Sequence, residues 1–276
     1  MGPTRFTSLG RPLDPGYKPN RYLIFLLPVF LLLGFLFHLI KHEAFFPALL
    51  HGLGVMVILF LTWAINREID PDYDYSAFLA VGVALFPAFL WENTGFLILF
   101  WILPVLRIIN KSTGLHSKIS DNIFIVLFSG ALAWSIDPAF LLFAGMAFLA
   151  DAFLPLKNRT QIYFAGASFI LFFLIFMLTE RTNDPYLYHS LTLPVLIGCS
   201  VLFIPVIFLT RNIKTRGDYS EMLLEASRLR FAGWFVLFLA IYITLFHGIN
   251  GLVMMLPVWA SIAATSIYRY IVLMSR

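Results

Sequence analysis

Charge is what this chain has least of. Acidic and basic residues together make up 12% of its 276 positions, against 60% hydrophobic ones, and the mean hydropathy is +0.87. A soluble globular domain carries about 25% charged residues, so that class is excluded. A single cysteine, Cys199, rules out an intrachain disulfide and leaves the redox compartment open. There is no G-x-S-x-G, no P-loop, no H-E-x-x-H and no spaced aspartate set of the phosphatidyl- or prenyltransferase kind. These absences weaken the case for an enzyme without removing it. No basic tract is dense enough for nucleic acid, and internal repeats and low-complexity segments are missing. The alternation of a membrane β-barrel is missing as well. Phe6 stands where a myristoylation signal needs Ser or Thr, and no small-residue cleavage site follows the first apolar run, which is expected to remain as a span.

Long apolar runs fill the rest. Stretches such as 22–40 (YLIFLLPVFLLLGFLFHLI) reach the ~20 residues a helix needs to cross ~30 Å of hydrocarbon. Only helices satisfy their backbone in that medium once a barrel is excluded. The expected fold is therefore an all-α, polytopic transmembrane bundle. Runs between polar breaks predict spans near 22–40, 45–65, 76–90, 94–109, 121–136, 139–156, 161–179, 190–210, 231–247 and 251–273. Two stretches, 75–110 and 119–156, are each either one overlong helix or two short ones. Pro87 with Trp91–Asn93, and Asp137–Pro138, favour pairs, full crossings or re-entrant.

Basic residues orient this count, because Lys and Arg in short loops stay cytoplasmic. With ten spans and both termini inside, 17 of the 19 basic residues fall on the cytoplasmic side, leaving Lys41 and Arg181 outside. Residues 1–21, with four prolines, are expected as an irregular cytoplasmic tail, and 22–276 as one transmembrane domain. The longest connection, 211–230, has Asp218 and Glu221 spaced as a helix start and Met222, Leu223, Ala226 and Leu229 at helical spacing. It is expected as an amphipathic cytoplasmic helix near 218–230. Its Arg211, Lys214, Arg216, Arg228 and Arg230 would meet anionic lipid or a protein partner.

Chemistry has few places to reside. Glu68, Asp70, Asp72 and Asp74 crowd one turn, with the spacing that opens an EF-hand loop, but Tyr75 stands at the sixth position and Val81 at the twelfth, so the match fails. A solvated turn is the expected reading. His38 and His42 lie four apart at the end of the first span and His51 begins the second. That set could hold a metal, with Glu43 or Glu92 completing the shell, or titrate in a proton-coupled carrier; ordinary interfacial histidines are the alternative. Asp151 is the one carboxylate well inside an apolar run, and buried carboxylates in membranes default to function. Lys157 and Arg159 offer a neutralising role instead. Asp151 and Glu92 are the catalytic candidates, and no cofactor is clearly implied.

The order ALFP…EN…FLILFWILPVLRIINKS (84–112), with the closing LPVWASIAATSIY (256–268), resembles a family of polytopic inner-membrane proteins of Bacteroidota. The resemblance implies an inner-membrane location and brings no activity or catalytic positions. Two functions remain open. One is a non-catalytic membrane subunit or assembly factor of a larger cell-envelope complex. The other is an integral-membrane transferase or carrier for a lipid-linked or small solute.

Overall fold

The computed structural model describes residues 7–42, 44–90, 95–179, 190 and 192–275, except the side chain of His42. Among them are ten helices: α1 (Lys18–His42), α2 (Phe45–Ile69), α3 (Asp74–Leu90), α4 (Phe96–Asn110), α5 (Ile119–Ser135), α6 (Ala139–Phe153), α7 (Gln161–Leu178), α8 (Thr192–Leu209), α9 (Ala226–Met254) and α10 (Leu256–Met274). Each expected apolar run overlaps one of these helices, though α6 ends at Phe153, short of the expected 156. Six helices, α1, α2 and α7 to α10, are long and apolar enough to cross a membrane, whereas α3 to α6 have 15 to 17 residues. At 1.5 Å per residue those four measure roughly 22–26 Å, short of the ~30 Å hydrocarbon layer.

The chain forms two compact units. The first comprises Met1–Arg11, Trp101–Tyr186 and Ile207–Leu239; the second comprises Pro12–Phe100, Leu187–Val206 and Ala240–Arg276.

In the first unit α5, α6 and α7 pack on one another. Gly145 of α6 admits the Phe169 ring of α7, whose edge would lie 2.5 Å from an added Cβ. Deeper in, Trp101 meets Phe140 edge-on at 5.2 Å, and Phe143 meets Phe235 at 5.6 Å. The Trp101 indole donates to Ser129 Oγ at 2.8 Å, so the one polar atom of that ring is satisfied.

In the second unit α1 and α2 form an antiparallel hairpin, and α3 and α10 pack against α2. Backbones meet at Gly34 and Gly52: a Cβ on Gly52 would stand 2.5 Å from the Leu31 carbonyl and 2.8 Å from the Phe35 amide. Small residues at helix crossings allow such contact where lipid supplies no hydrophobic drive. A polar thread joins the other helices, Asn66 donating to Thr265 Oγ1 at 3.0 Å and accepting from Ser76 at 2.8 Å. Gly248, at φ 57°, kinks α9 between the two runs expected there. Trp259 of α10 donates across that bend to Thr244 at 3.0 Å.

Two expectations change. Pro19 sits at the second position of α1, where its missing N–H costs nothing, so the helix starts at Lys18 rather than at 22. More substantially, no helix covers 218–225. Residues 211–225 are extended around a turn, with Gly217 N–H bonded to Met222 O at 3.1 Å and Leu224 N–H to Thr215 O at 2.9 Å. The Asp218 and Tyr219 amides donate instead to the carbonyls of Ser112 and Thr113, and Arg11 grips Asp218 at 2.6 and 2.9 Å. Gly217 lies against Gly114, whose φ of 78° suits a residue without Cβ. This clasp between two loops outcompetes the local helical pattern, and α9 begins only at Ala226.

Replacing Gly52 with Val drives a side chain into backbone, so we expect a loss of about 1–3 kcal/mol. Gly54, with nothing within 4 Å of an added Cβ, should accept Ala with a gain of roughly 0.5–1 kcal/mol. Thermal unfolding of the detergent-solubilised variants checks the contrast.

Candidate functional site

The strongest concentration of buried charge lies at one end of the first unit. Asp151 ends the stripe Phe140, Ala144, Ala147, Phe148 on α6, a spacing that carries it inward, and it is fully buried. Its Oδ1 receives Arg228 Nη1 at 2.8 Å and Lys111 Nζ at 3.2 Å. Its Oδ2 receives the Gln161 amide at 3.2 Å. Lys157 and Arg159, expected to neutralise it, are exposed. They follow the helix in sequence, but the chain turns away at Leu154, and the counter-charges arrive from α9 and from the loop after α4.

Arg228 is the centre. It was expected on the lipid- or partner-facing surface, yet it has no exposed area at all. In the register of α9 it shares a stripe with Ala232, Phe235, Val236 and Leu239, all buried, which is why it turns inward while Arg230 stays exposed. Its Nη1 donates to Ile109 O at 2.7 Å, its Nε to Pro155 O at 2.6 Å and its Nη2 to Leu156 O at 3.3 Å. Ile109 O is one of the last carbonyls of α4, which have no partner within the helix, and Pro155 and Leu156 lie in the turn just after α6. Lys111 adds a bond to Leu156 O and meets His116 Nδ1 at 2.8 Å. Gln161, first residue of α7, also donates to Ser117 and Asn122.

The same end is tied further. Asp121 in the first turn of α5 accepts from Ser8 N–H at 2.9 Å and Ser8 Oγ at 2.6 Å, and Arg107 donates to Leu9 O at 2.9 Å. The N-terminal segment, the ends of α4 and α6 and the starts of α5, α7 and α9 thus meet in one polar layer.

Electrostatics follow from burial. The Lys111 ammonium is held below its ordinary value by desolvation, against the pull of Asp151. The His116 imidazole is likewise lowered from 6.5, by desolvation and then by Lys111. Lys111 donates, so Nδ1 must keep its lone pair. Around Asp151 two cations share one carboxylate, and backbone carbonyls after α4 and α6 absorb the excess positive charge.

The second unit repeats the device. Asp70, after α2, receives Arg269 Nη2 at 2.7 Å and Nε at 3.0 Å, and the Arg269 guanidinium stacks 4.3 Å over the Tyr73 ring. Arg67 pairs with Asp74, which also accepts from Tyr17 at 2.5 Å. The acidic turn was expected to be solvated; Glu68 and Asp70 are instead buried, Asp70 against Arg269 of α10. Burial holds the Asp70 carboxyl above its ordinary value against the opposing pull of Arg269.

Of the metal candidates, His38 and His51 stack with ring centroids 4.8 Å apart, while the side chain of His42 lies outside the described residues. Among the described residues no three His, Cys, Asp or Glu gather as a metal site. Glu43 and the catalytic candidate Glu92 also lie outside the described residues. Arg211, Lys214, Arg216 and Arg230 are exposed.

No family model, curated protein or solved structure matches the chain. What the fold itself defines is an all-helical protein with the make-up of a multi-pass membrane protein.

Asp151→Asn strands Lys111 and Arg228 in a buried layer, and we expect a loss of about 3–5 kcal/mol, read as less folded protein after extraction. Lys111→Met leaves a neutral Asp151–Arg228 pair and should cost clearly less; equal losses would contradict the cluster as described. For His116 the folded-state value is depressed, so its contribution to stability is complete above pH 6.5 and is lost as pH falls through the lower, folded-state value. Histidine NMR should show one ring titrating below 6.5, returning toward it in Lys111→Met.

Proposed function

We propose that this chain is a non-catalytic subunit or assembly factor of a larger complex in a bacterial inner membrane, crossing it ten times with both termini cytoplasmic. The observation that carries the reading is the closure of the Asp151 cluster. The carboxylate that membrane burial would mark as functional is enclosed by Arg228, Lys111 and Gln161, and the two cations turn their other donors to the end of α4, the turn after α6 and His116. Its chemistry is used up in joining helices.

The geometry of each unit supports the crossing pattern. In the first, the ends of α4 and α6 and the starts of α5, α7 and α9 share one polar layer. In the second, the starts of α1 and α3 and the ends of α2 and α10 meet around Tyr17, Asp74, Asp70 and Arg269. Both layers hold the basic residues assigned to the cytoplasm, and helices that leave from and return to one layer cross in pairs. The four short helices fit a bilayer through local thinning. The resemblance of 84–112 and 256–268 to inner-membrane proteins of Bacteroidota agrees in location.

The exposed Arg211, Lys214, Arg216 and Arg230 form the surface for a protein partner. Gentle extraction followed by native mass spectrometry should show a second polypeptide at fixed stoichiometry. Charge reversal at Arg211 and Lys214 is expected to release it while the amount of folded protein stays unchanged. A chain carrying only a small solute, with activity lost in a folded Asp151→Asn variant, would instead identify a carrier or transferase.

A further inference from the structure

A second site lies in the second unit, at the polar ends of α1 and α3. Tyr22, Phe25, Leu26, Tyr75 and Phe78 line a groove of about 370 Å³ between the two helices, within the ~300–1,000 Å³ of small-ligand sites. Its walls are aromatic and aliphatic, and Phe25 and Tyr75 are more than half exposed. The groove runs along the second and third turns of α1 and the first two turns of α3, about 6–12 Å along α1 from its first residue, hence at the boundary of headgroups and acyl chains if α1 crosses a bilayer.

Charge at its mouth selects the occupant. Lys18 and Arg21 precede Tyr22 and Phe25 by one helical turn each and lie above the groove on the same helix. Both are exposed, and among the described residues neither forms an ion pair. They stand at the positive end of the α1 dipole, in a first turn with no acidic residue. Two cations there are unfavourable until an anion joins them. The neighbouring carboxylates are engaged elsewhere, Asp14 with the Gly16 amide and Asp74 with Arg67 and Tyr17.

We propose that this groove binds one anionic phospholipid, its acyl chain between Phe25, Leu26 and Phe78 and its phosphate on Lys18 and Arg21. Aromatic rings at this depth suit the glycerol region, where one face is apolar and one edge is wet. The site stands whether or not the chain has a protein partner.

Full-length protein, extracted in detergent and stripped of lipid, is titrated with phosphatidylglycerol or with phosphatidylcholine of identical acyl chains and weighed intact. One phosphatidylglycerol per chain should be retained in preference by roughly 25- to 30-fold, about five-fold for each cation. Lys18→Gln with Arg21→Gln should erase the preference. Leu26→Trp, which fills the groove, should weaken both lipids, and Phe25→Ala serves the same purpose should the tryptophan variant fail to fold. Equal retention of the two lipids, or retention indifferent to these variants at unchanged thermal stability, overturns the proposal. A dimer in lipid-free protein that Leu26→Trp abolishes also overturns it, by giving the groove to a second copy of the chain.

Discussion

An ionised aspartate among helices this apolar must bring its counter-charge with it, and the rest of the architecture is arranged around that requirement. Removing a carboxylate from water costs several kcal/mol, recovered only when the geometry of the partner is good and every remaining lone pair is used. Asp151 meets the first with two cations on one oxygen and goes far toward the second with an amide on the other. Asp70 meets the first through two nitrogens of Arg269. Each pair joins residues far apart in sequence, 77 positions for Asp151 and Arg228 and 199 for Asp70 and Arg269, so each closes a long loop of chain as well as balancing charge.

Both pins sit where helices end. The last carbonyls of a helix lack internal partners, and in a membrane protein water is not always there to supply them. Arg228 addresses that deficit and the Asp151 charge with one group. The consequence is a division within each unit: polar satisfaction is gathered at one end, while the helix interiors rely on small-residue contact, as at Gly34 and Gly52, or on aromatic packing, as at Trp101 and Phe140.

Much of this was legible in the residues. The ten apolar runs mark ten helices because hydropathy and helix breakers are local properties. Asp137–Pro138 marked the boundary between α5 and α6, whereas Pro87 lies inside α3 and the bend at Gly248 was not singled out. What failed were inferences that took neighbours in sequence for neighbours in space. Lys157 and Arg159 follow Asp151 but point to solvent, and the 218–230 segment reads as a helix until Arg11 and Gly114 compete for it. The acidic turn reads as solvated because nothing local announces that α10 returns over it. One missed residue did leave a trace: the stripe from Arg228 to Ala232, Phe235 and Leu239 puts that arginine on the apolar face of α9, with Arg230 on the opposite one.

That trace also explains why arginine stands at 228. The position must serve four acceptors in different directions: the carboxylate, the end of α4 and two carbonyls of the turn after α6. A guanidinium presents five N–H groups in a planar fork and stays charged when desolvated, whereas an ammonium offers three from a single point and loses its proton more readily on burial. Lysine appears in the same cluster only at 111, where the acceptors are fewer and a second cation already holds the aspartate. The two basic residues therefore divide the work by geometry, the arginine joining three helices and the lysine closing the loop beside them.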